Sequence, residues 1–113
     1  YERCMRGGNI VVVSAAGNYG KPRPAVIIQE NLFNDTHAGI LVCLLTTDIQ
    51  DAPLFRIDID PSNDNGLKKH SQIMVDKIVA LRRERISSTI GKIDDDTLIR
   101  FNRSLALFLG LAQ

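Results

Sequence analysis

Surplus charge of either sign is missing from this 113-residue chain: 14 lysines and arginines stand against 13 aspartates and glutamates, a net charge of +1. With no global field to draw in a polyanion, any nucleic-acid contact has to come from a local patch. Cysteine is scarce as well. Neither Cys4 nor Cys43 has a CxxC partner, which argues against a zinc site or a redox motif. Cys43 lies in an apolar run and reads as a small core residue, Cys4 as part of a frayed N-terminus. The two histidines, His37 and His70, have no acid or second histidine at metal-ligand spacing; both read as solvated, and no metal or other cofactor is expected. No apolar run approaches bilayer length and no charged-then-apolar leader is visible, so a soluble cytoplasmic protein that does not engage membranes is expected. P-loop, GxSxG and Rossmann glycine patterns are absent.

What is present fits one domain with a real core, 44% hydrophobic and 24% charged, without internal repeats or linkers. Ile10–Val13, Ala25–Ile28 and Gly39–Leu45 are short aliphatic runs bounded by turn residues, the mark of strands. Leu54–Asp60 alternates apolar and charged residues, predicting a strand with one buried face, on which Phe55 falls in the core. Pro61–Gly66 reads as a loop, and Ser71–Leu81 resumes strand-like alternation. Arg82–Arg85 suits a single helical turn before Ile86–Ile93. Asp94 is a candidate N-cap, with Asp95 and Asp96 at the positive end of a helix dipole. Leu98, Phe101, Leu105, Phe108 and Ala112 then recur at helical spacing. The sum is an α+β domain spanning residues 1–113, with residues 1–5 as an N-terminal extension: a small, strongly bent sheet or barrel closed by a C-terminal helix.

The densest chemistry lies in Gly17-Asn-Tyr-Gly-Lys-Pro-Arg-Pro-Ala-Val26. Pro22 and Pro24 fix their own φ angles and bias the residues before them towards extended geometry, so Arg23 has few backbone conformations open to it. A planar, permanently charged five-donor group held this way suits a phosphate. The opposing reading is a solvated arginine at the start of a strand. Thr46-Thr47-Asp48 ends the most apolar strand, putting two hydroxyls and a carboxylate where core meets solvent. Those hydroxyls either satisfy backbone groups in a turn or donate to a phosphate oxygen. Asp76 interrupts an apolar run, and a carboxylate buried or half-buried there must find a donor or shift its pKa, with an arginine partner the expected use.

These residues carry a resemblance. The N-terminal strand followed by Gly17–Val26 is similar to the MazF/PemK family of toxin endoribonucleases, as are Leu44-Leu-Thr-Thr-Asp-Ile-Gln50, Ser71-Gln-Ile-Met-Val-Asp-Lys-Ile78 and Ile90-Gly-Lys-Ile-Asp-Asp-Asp96. The blocks occur in the family's order from about Met5 to the C-terminus. The resemblance implies an SH3-like (CcdB/PemK-like) β-barrel with a C-terminal α-helix, a homodimer, and neutralisation by a MazE-like antitoxin. It implies metal-independent cleavage of single-stranded RNA, usually mRNA, at short preferred sequences. The family's catalytic arginine and threonine match Arg23 and Thr46. In the implied reaction the ribose 2′-hydroxyl attacks the adjacent phosphorus, leaving a 2′,3′-cyclic phosphate and a 5′-hydroxyl. Arg23 stays protonated, so its role is to stabilise charge on the phosphoryl oxygens, while Thr46 orients the phosphate.

Around that pair, Lys21, Lys68, Lys69 and His70 form a candidate phosphate track. Asn18, Tyr19, Thr47, Gln72 and Asp76 complete the RNA-binding candidates, Tyr19 and Phe55 by stacking on bases and Gln72 and Asp76 by reading base edges. The family fold also contains CcdB-like gyrase poisons, and a catalytically weak RNA-binding relative is a further alternative. Two departures stand out: Asn9 and Asn18 occupy positions where family members commonly carry acids. An amide accepts no proton at neutral pH. Asn18→Asp is therefore expected to keep or raise RNA cleavage, and a large fall in turnover would instead reveal a specific contact made by the amide.

Overall fold

The computed structural model describes residues 7–14, 21–28 and 39–111. Within them the chain runs β1 (Asn9–Val13), β2 (Arg23–Ile27), β3 (Gly39–Thr46), β4 (Arg56–Ile59), β5 (Ser71–Arg82), a 3₁₀ turn (Arg83–Arg85), β6 (Ile86–Lys92) and α1 (Asp95–Phe108). The six strands form one antiparallel sheet in the order β4-β5-β3-β2-β1-β6.

Strand alternation divides the aliphatic residues between two faces. Ile10, Val26, Cys43, Leu45, Ile57, Ile59, Ile73 and Val75 form one cluster with Ile93 and Phe101, and Leu98 and Leu105 of α1 pack against it. Val11, Val13, Ala25, Ile27, Ile40, Val42 and Ile86 form the second. Cys43 is fully buried, as its setting predicts, and burial with the nearby Asp76 charge pushes its thiol pKa up to about 12. The thiol is therefore a packing group and not a nucleophile.

The sheet is barrel-like but open, for no β4–β6 ladder joins its edges among the described residues. The loop after β4 bridges the gap. Lys92 N–H donates to the Asp64 carbonyl (2.9 Å), and Gly91 lies so close to Asp64 and Asn65 that a Cβ there would collide with their backbone. Asn65, buried, holds this loop from inside: its Oδ1 accepts from the N–H groups of Ser62 (3.0 Å) and Leu67 (2.9 Å), and its Nδ2 donates to the Asp60 carbonyl (2.8 Å).

The helix begins as its sequence predicts and ends at Phe108; Ala112, the last of the helically spaced apolar residues, lies outside the described residues. Asp94 Oδ1 accepts from Thr97 N–H at 2.7 Å. At the far end Gly110 (φ +75°) lets Leu111 N–H reach the Ala106 carbonyl (2.8 Å) and Gly110 N–H the Leu107 carbonyl (3.1 Å), a Schellman arrangement. The fourth strand differs from expectation. It starts at Arg56, because Phe55 and Arg56 both donate to the Ala52 carbonyl (2.9 Å each) and close a turn over residues 53–55. Phe55 consequently leaves the core. It is 42% exposed and meets Phe108 of α1 edge-on, ring centroids 6.2 Å apart.

Phe101, 1% exposed, joins the helix to the first cluster. Phe101→Ala is expected to cost about 3–5 kcal/mol of stability in urea denaturation; a loss under 1 kcal/mol would mean that the helix contributes little to the core.

Candidate active site at the rim of the sheet

Arg23, Thr46, Gln72 and Asp58 form a polar row across four neighbouring strands. The pairs Thr46↔Gln72 and Asp58↔Gln72 are direct register partners. The β2–β3 ladder ends at Ala25↔Leu44, and continuing it by two residues brings Arg23 opposite Thr46, on the same face. The ladder stops there for a chemical reason: Pro24 has no N–H to donate. Beyond it lies a groove of about 250 Å³ lined by Arg23, Pro24, Leu45, Thr46, Thr47, Asp48 and Ser71. The strand-start arginine and the strand-end threonine therefore share one depression. Arg23 and Thr47 are exposed, Thr46 half-buried.

Both roles foreseen for the threonine hydroxyl are compatible. Thr46 Oγ1 accepts from Asp48 N–H at 3.0 Å, the turn contact. That uses one lone pair, leaving the hydroxyl proton and a second lone pair for the groove. Behind the turn stand two side chains. Arg56 Nη1 donates to the Asp48 carbonyl (3.0 Å) and to Gln72 Oε1 (3.1 Å). Gln72 Oε1 also accepts from Gln50 N–H (3.1 Å), while its Nε2 donates to the Gln50 carbonyl (3.0 Å) and Asp58 Oδ1 (2.9 Å).

Gln72 is 3% exposed with both amide atoms engaged, so it organises the rim from within and offers no free edge to a base. Asp76 is exposed and has no ion-pair partner among the described residues, which corrects the expectation of a buried carboxylate held by an arginine. The cause is a break in register: β3–β5 pairing shifts from Cys43↔Ile78 to Leu45↔Ile73, and the extra residues on β5 bulge outward. Lys68 and Lys69 are exposed in the turn before β5. Lys69 is tied to the groove through its carbonyl, which accepts from the Ser71 hydroxyl at 2.9 Å. Lys21 is exposed two residues before Arg23. Asn18, Tyr19, Cys4 and His37 lie outside the described residues. His70 is not simply solvated. Its Nδ1 lies 2.7 Å from Asp60 Oδ1 and its Nε2 3.1 Å from Asp58 Oδ1, a clamp between two carboxylates at the end of the polar row.

Sequence reasoning missed Arg56 altogether. Counted among the wet residues of an alternating strand, it is half-buried, with partners 8 and 16 residues away in sequence. No local pattern carries that signal. Asp48, noted only as a strand-end carboxylate, lines the groove and supplies the N–H that fixes Thr46.

A bent antiparallel sheet, a terminal helix, and a rim groove lined by an arginine and two threonines define a class of small β-proteins with a polar depression at the sheet's edge. Residues 6–109 match the family described as PemK-like, MazF-like toxin of type II toxin-antitoxin system, and the chain belongs to that family. It is 40% identical over 109 residues, covering 96% of this chain and 99% of the relative, to the "Probable endoribonuclease MazF" of Mycolicibacterium smegmatis. It is 27% identical over 93 residues to "Endoribonuclease EndoA" of Bacillus subtilis, covering 81% and 79% of the two chains. Among solved structures, a mycobacterial endoribonuclease in complex with its cognate antitoxin superposes with a TM-score of 0.81 at 22% identity, covering 97% of this chain and 99% of that one. At that identity the likeness is one of fold.

The His70 clamp makes stability depend on pH. Hydrogen bonds to Asp60 and then Asp58 raise the His70 pKa above its ordinary 6.5, so its contribution is complete below that value and is lost as pH rises through the raised one. The Gln72 amide, and after it His70, hold the Asp58 carboxyl below its ordinary 3.8; that contribution is complete above 3.8 and fades in stronger acid. The full clamp therefore operates between the two ordinary values. The Tm advantage of wild type over His70→Gln is expected to be larger at about pH 5.5 than at about pH 9. An advantage that does not change with pH would mean that the charged imidazole adds nothing.

Proposed function

We propose that this chain is the toxin of a type II toxin–antitoxin pair and acts as an endoribonuclease on single-stranded RNA, with Arg23 and Thr46 as its catalytic residues. One observation carries the reading: Arg23 and Thr46 line a single groove at the open end of the β2–β3 ladder. The reaction is transesterification. The ribose 2′-oxygen forms a bond to phosphorus, the bond from phosphorus to the 5′-oxygen breaks, and the products carry a 2′,3′-cyclic phosphate and a 5′-hydroxyl. The 2′-hydroxyl gives up its proton and the departing 5′-oxygen gains one.

Negative charge builds on the two non-bridging phosphoryl oxygens as the fifth bond forms. A cation whose position is set before the substrate arrives stabilises that charge without reorganisation. Arg23 meets part of this requirement, since its backbone, restricted by Pro22 and Pro24 and paired to Val13, narrows the positions open to its guanidinium. Thr46, its oxygen already held by Asp48 N–H, directs its proton at the same phosphate. Because the guanidinium supplies the positive charge, the proposed reaction needs no metal, and cleavage is expected to persist in EDTA.

With a net charge of only +1, RNA affinity falls to the exposed Lys21, Lys68 and Lys69 around the groove, helped by Thr47, Asn18 and Tyr19. Stacking on Tyr19 would contribute about 1–3 kcal/mol for a base. We place the protein in the cytoplasm, as a homodimer held inactive by a MazE-like antitoxin. No helix among the described residues is long and apolar enough to cross a membrane.

The test uses purified protein, labelled single-stranded RNA and EDTA, with product ends mapped. Arg23→Ala is expected to fold and dimerise normally while cleaving RNA about a hundred to a thousand times more slowly. Undiminished cleavage by a folded Arg23→Ala dimer overturns the assignment, as does inhibited DNA supercoiling with RNA left intact.

A further inference from the structure

We propose that Arg56 is a positioning residue of the ribonuclease site: with Gln72 as its brace, it pins the Asp48 carbonyl and so fixes the Asp48 N–H that aims the Thr46 hydroxyl into the groove. The proposal rests on the assignment of Arg23 and Thr46, and its test separates the two.

The segment after β3 is exposed, and a surface strand end of this kind frays unless something holds it. Here three of its backbone groups are taken by two side chains. The Asp48 carbonyl accepts from Arg56 Nη1 at 3.0 Å; Gln50 N–H and its carbonyl bond to the two ends of the Gln72 amide at 3.1 and 3.0 Å. The brace is itself tied down, since Gln72 Oε1 receives Arg56 Nη1 at 3.1 Å and Gln72 Nε2 reaches Asp58 at 2.9 Å. Asp58 meets His70 in turn. The chain of contacts runs from the exposed His70–Asp60 pair to the groove, and Arg56 is its last side-chain link before Thr46.

Charge alone invites a different reading, that of a cation near a phosphate site. The geometry opposes it. Arg56 is half-buried, does not line the groove, and directs its Nη1 at acceptors behind the turn. A phosphate ligand would present its donors to the groove. A group acting on Thr46 through the backbone leaves substrate affinity alone and changes the rate at which bound RNA reacts, because orientation is what it supplies.

The experiment measures kcat, KM and salt dependence on a long labelled single-stranded transcript of mixed sequence. It compares wild type, Arg56→Met, Arg56→Lys, Gln72→Met, Thr46→Val and the Thr46→Val/Arg56→Met double variant, with melting temperature as a folding check. Arg56→Met is expected to lower kcat roughly ten- to a hundred-fold with KM and salt slope near wild type. Arg56→Lys keeps one donor for the Asp48 carbonyl and should recover part of the loss. Gln72→Met should show a smaller loss, also confined to kcat. The double variant should be no slower than Thr46→Val, since Arg56 has nothing left to position. Multiplying losses in the double variant overturn the proposal, as does full turnover in a folded Arg56→Met. So does a raised KM with a salt slope reduced by about one, the signature of a lost phosphate contact. If Arg56→Met is too unstable to assay, the same cycle run with Arg56→Lys decides. Arg23→Ala is the control: its retention of activity removes the site assignment, whereas an inactive Arg23→Ala beside a fully active Arg56→Met removes the positioning role alone.

Discussion

Strand register at the rim is the constraint on which the rest of the structure depends. Side chains alternate across a strand, so a slip of one residue between β2 and β3 would turn Thr46 to the opposite face from Arg23. Aliphatic burial on both sides of the sheet prevents it. Val26, Cys43 and Leu45 fill one cluster while Ala25, Ile27 and Val42 fill the other, and a slip would exchange them all. Each large aliphatic side chain contributes about 1.5–3 kcal/mol by being buried. The polar row from Arg23 to Asp58 is thus held in line by an apolar core that takes no part in its chemistry.

Charge along that row is graded. One end carries Arg23, with Lys21 just before it; the other carries Asp58 and Asp60, joined through His70. Lys68 and Lys69 directly precede His70 at that second end, so local patches and not the near-zero net charge set the field that a polyanion meets along this edge. Arg56 sits between the two ends, its Nη1 directed inward onto a carbonyl and an amide oxygen. The site thereby gains rigidity from a cation without adding a competing phosphate anchor.

Much of this was legible in the chain itself, and for local reasons. The aliphatic runs became β1, β2 and β3 because they are short, branched and bounded by turn formers. Asp94 caps α1 because capping is settled by residues within one turn. Pro22 and Pro24 identified the constrained arginine for the same kind of reason. The misreadings share a cause of the opposite sort. Alternation puts Phe55 in the core, but two bonds to the Ala52 carbonyl start the strand at Arg56, two residues later than expected, and leave the ring against Phe108. The apolar run around Asp76 predicts a buried or half-buried carboxylate, but the register break opposite Cys43 and Leu45 turns it out.

By itself, then, the sequence determined most of the elements, the N-cap of the helix, the family, and the two side chains we propose as catalytic, all of them read from neighbours a few residues apart. Only the tertiary structure decided which side chains stand behind those two. Arg56, Gln72, Asp58 and His70 meet because β4 and β5 pair in one register and the turn after β3 folds back over them. Hydrogen bonds between side chains so distant in sequence are set by strand pairing, and strand pairing is set by burial of the whole core, a sum over many residues that no short stretch of chain contains.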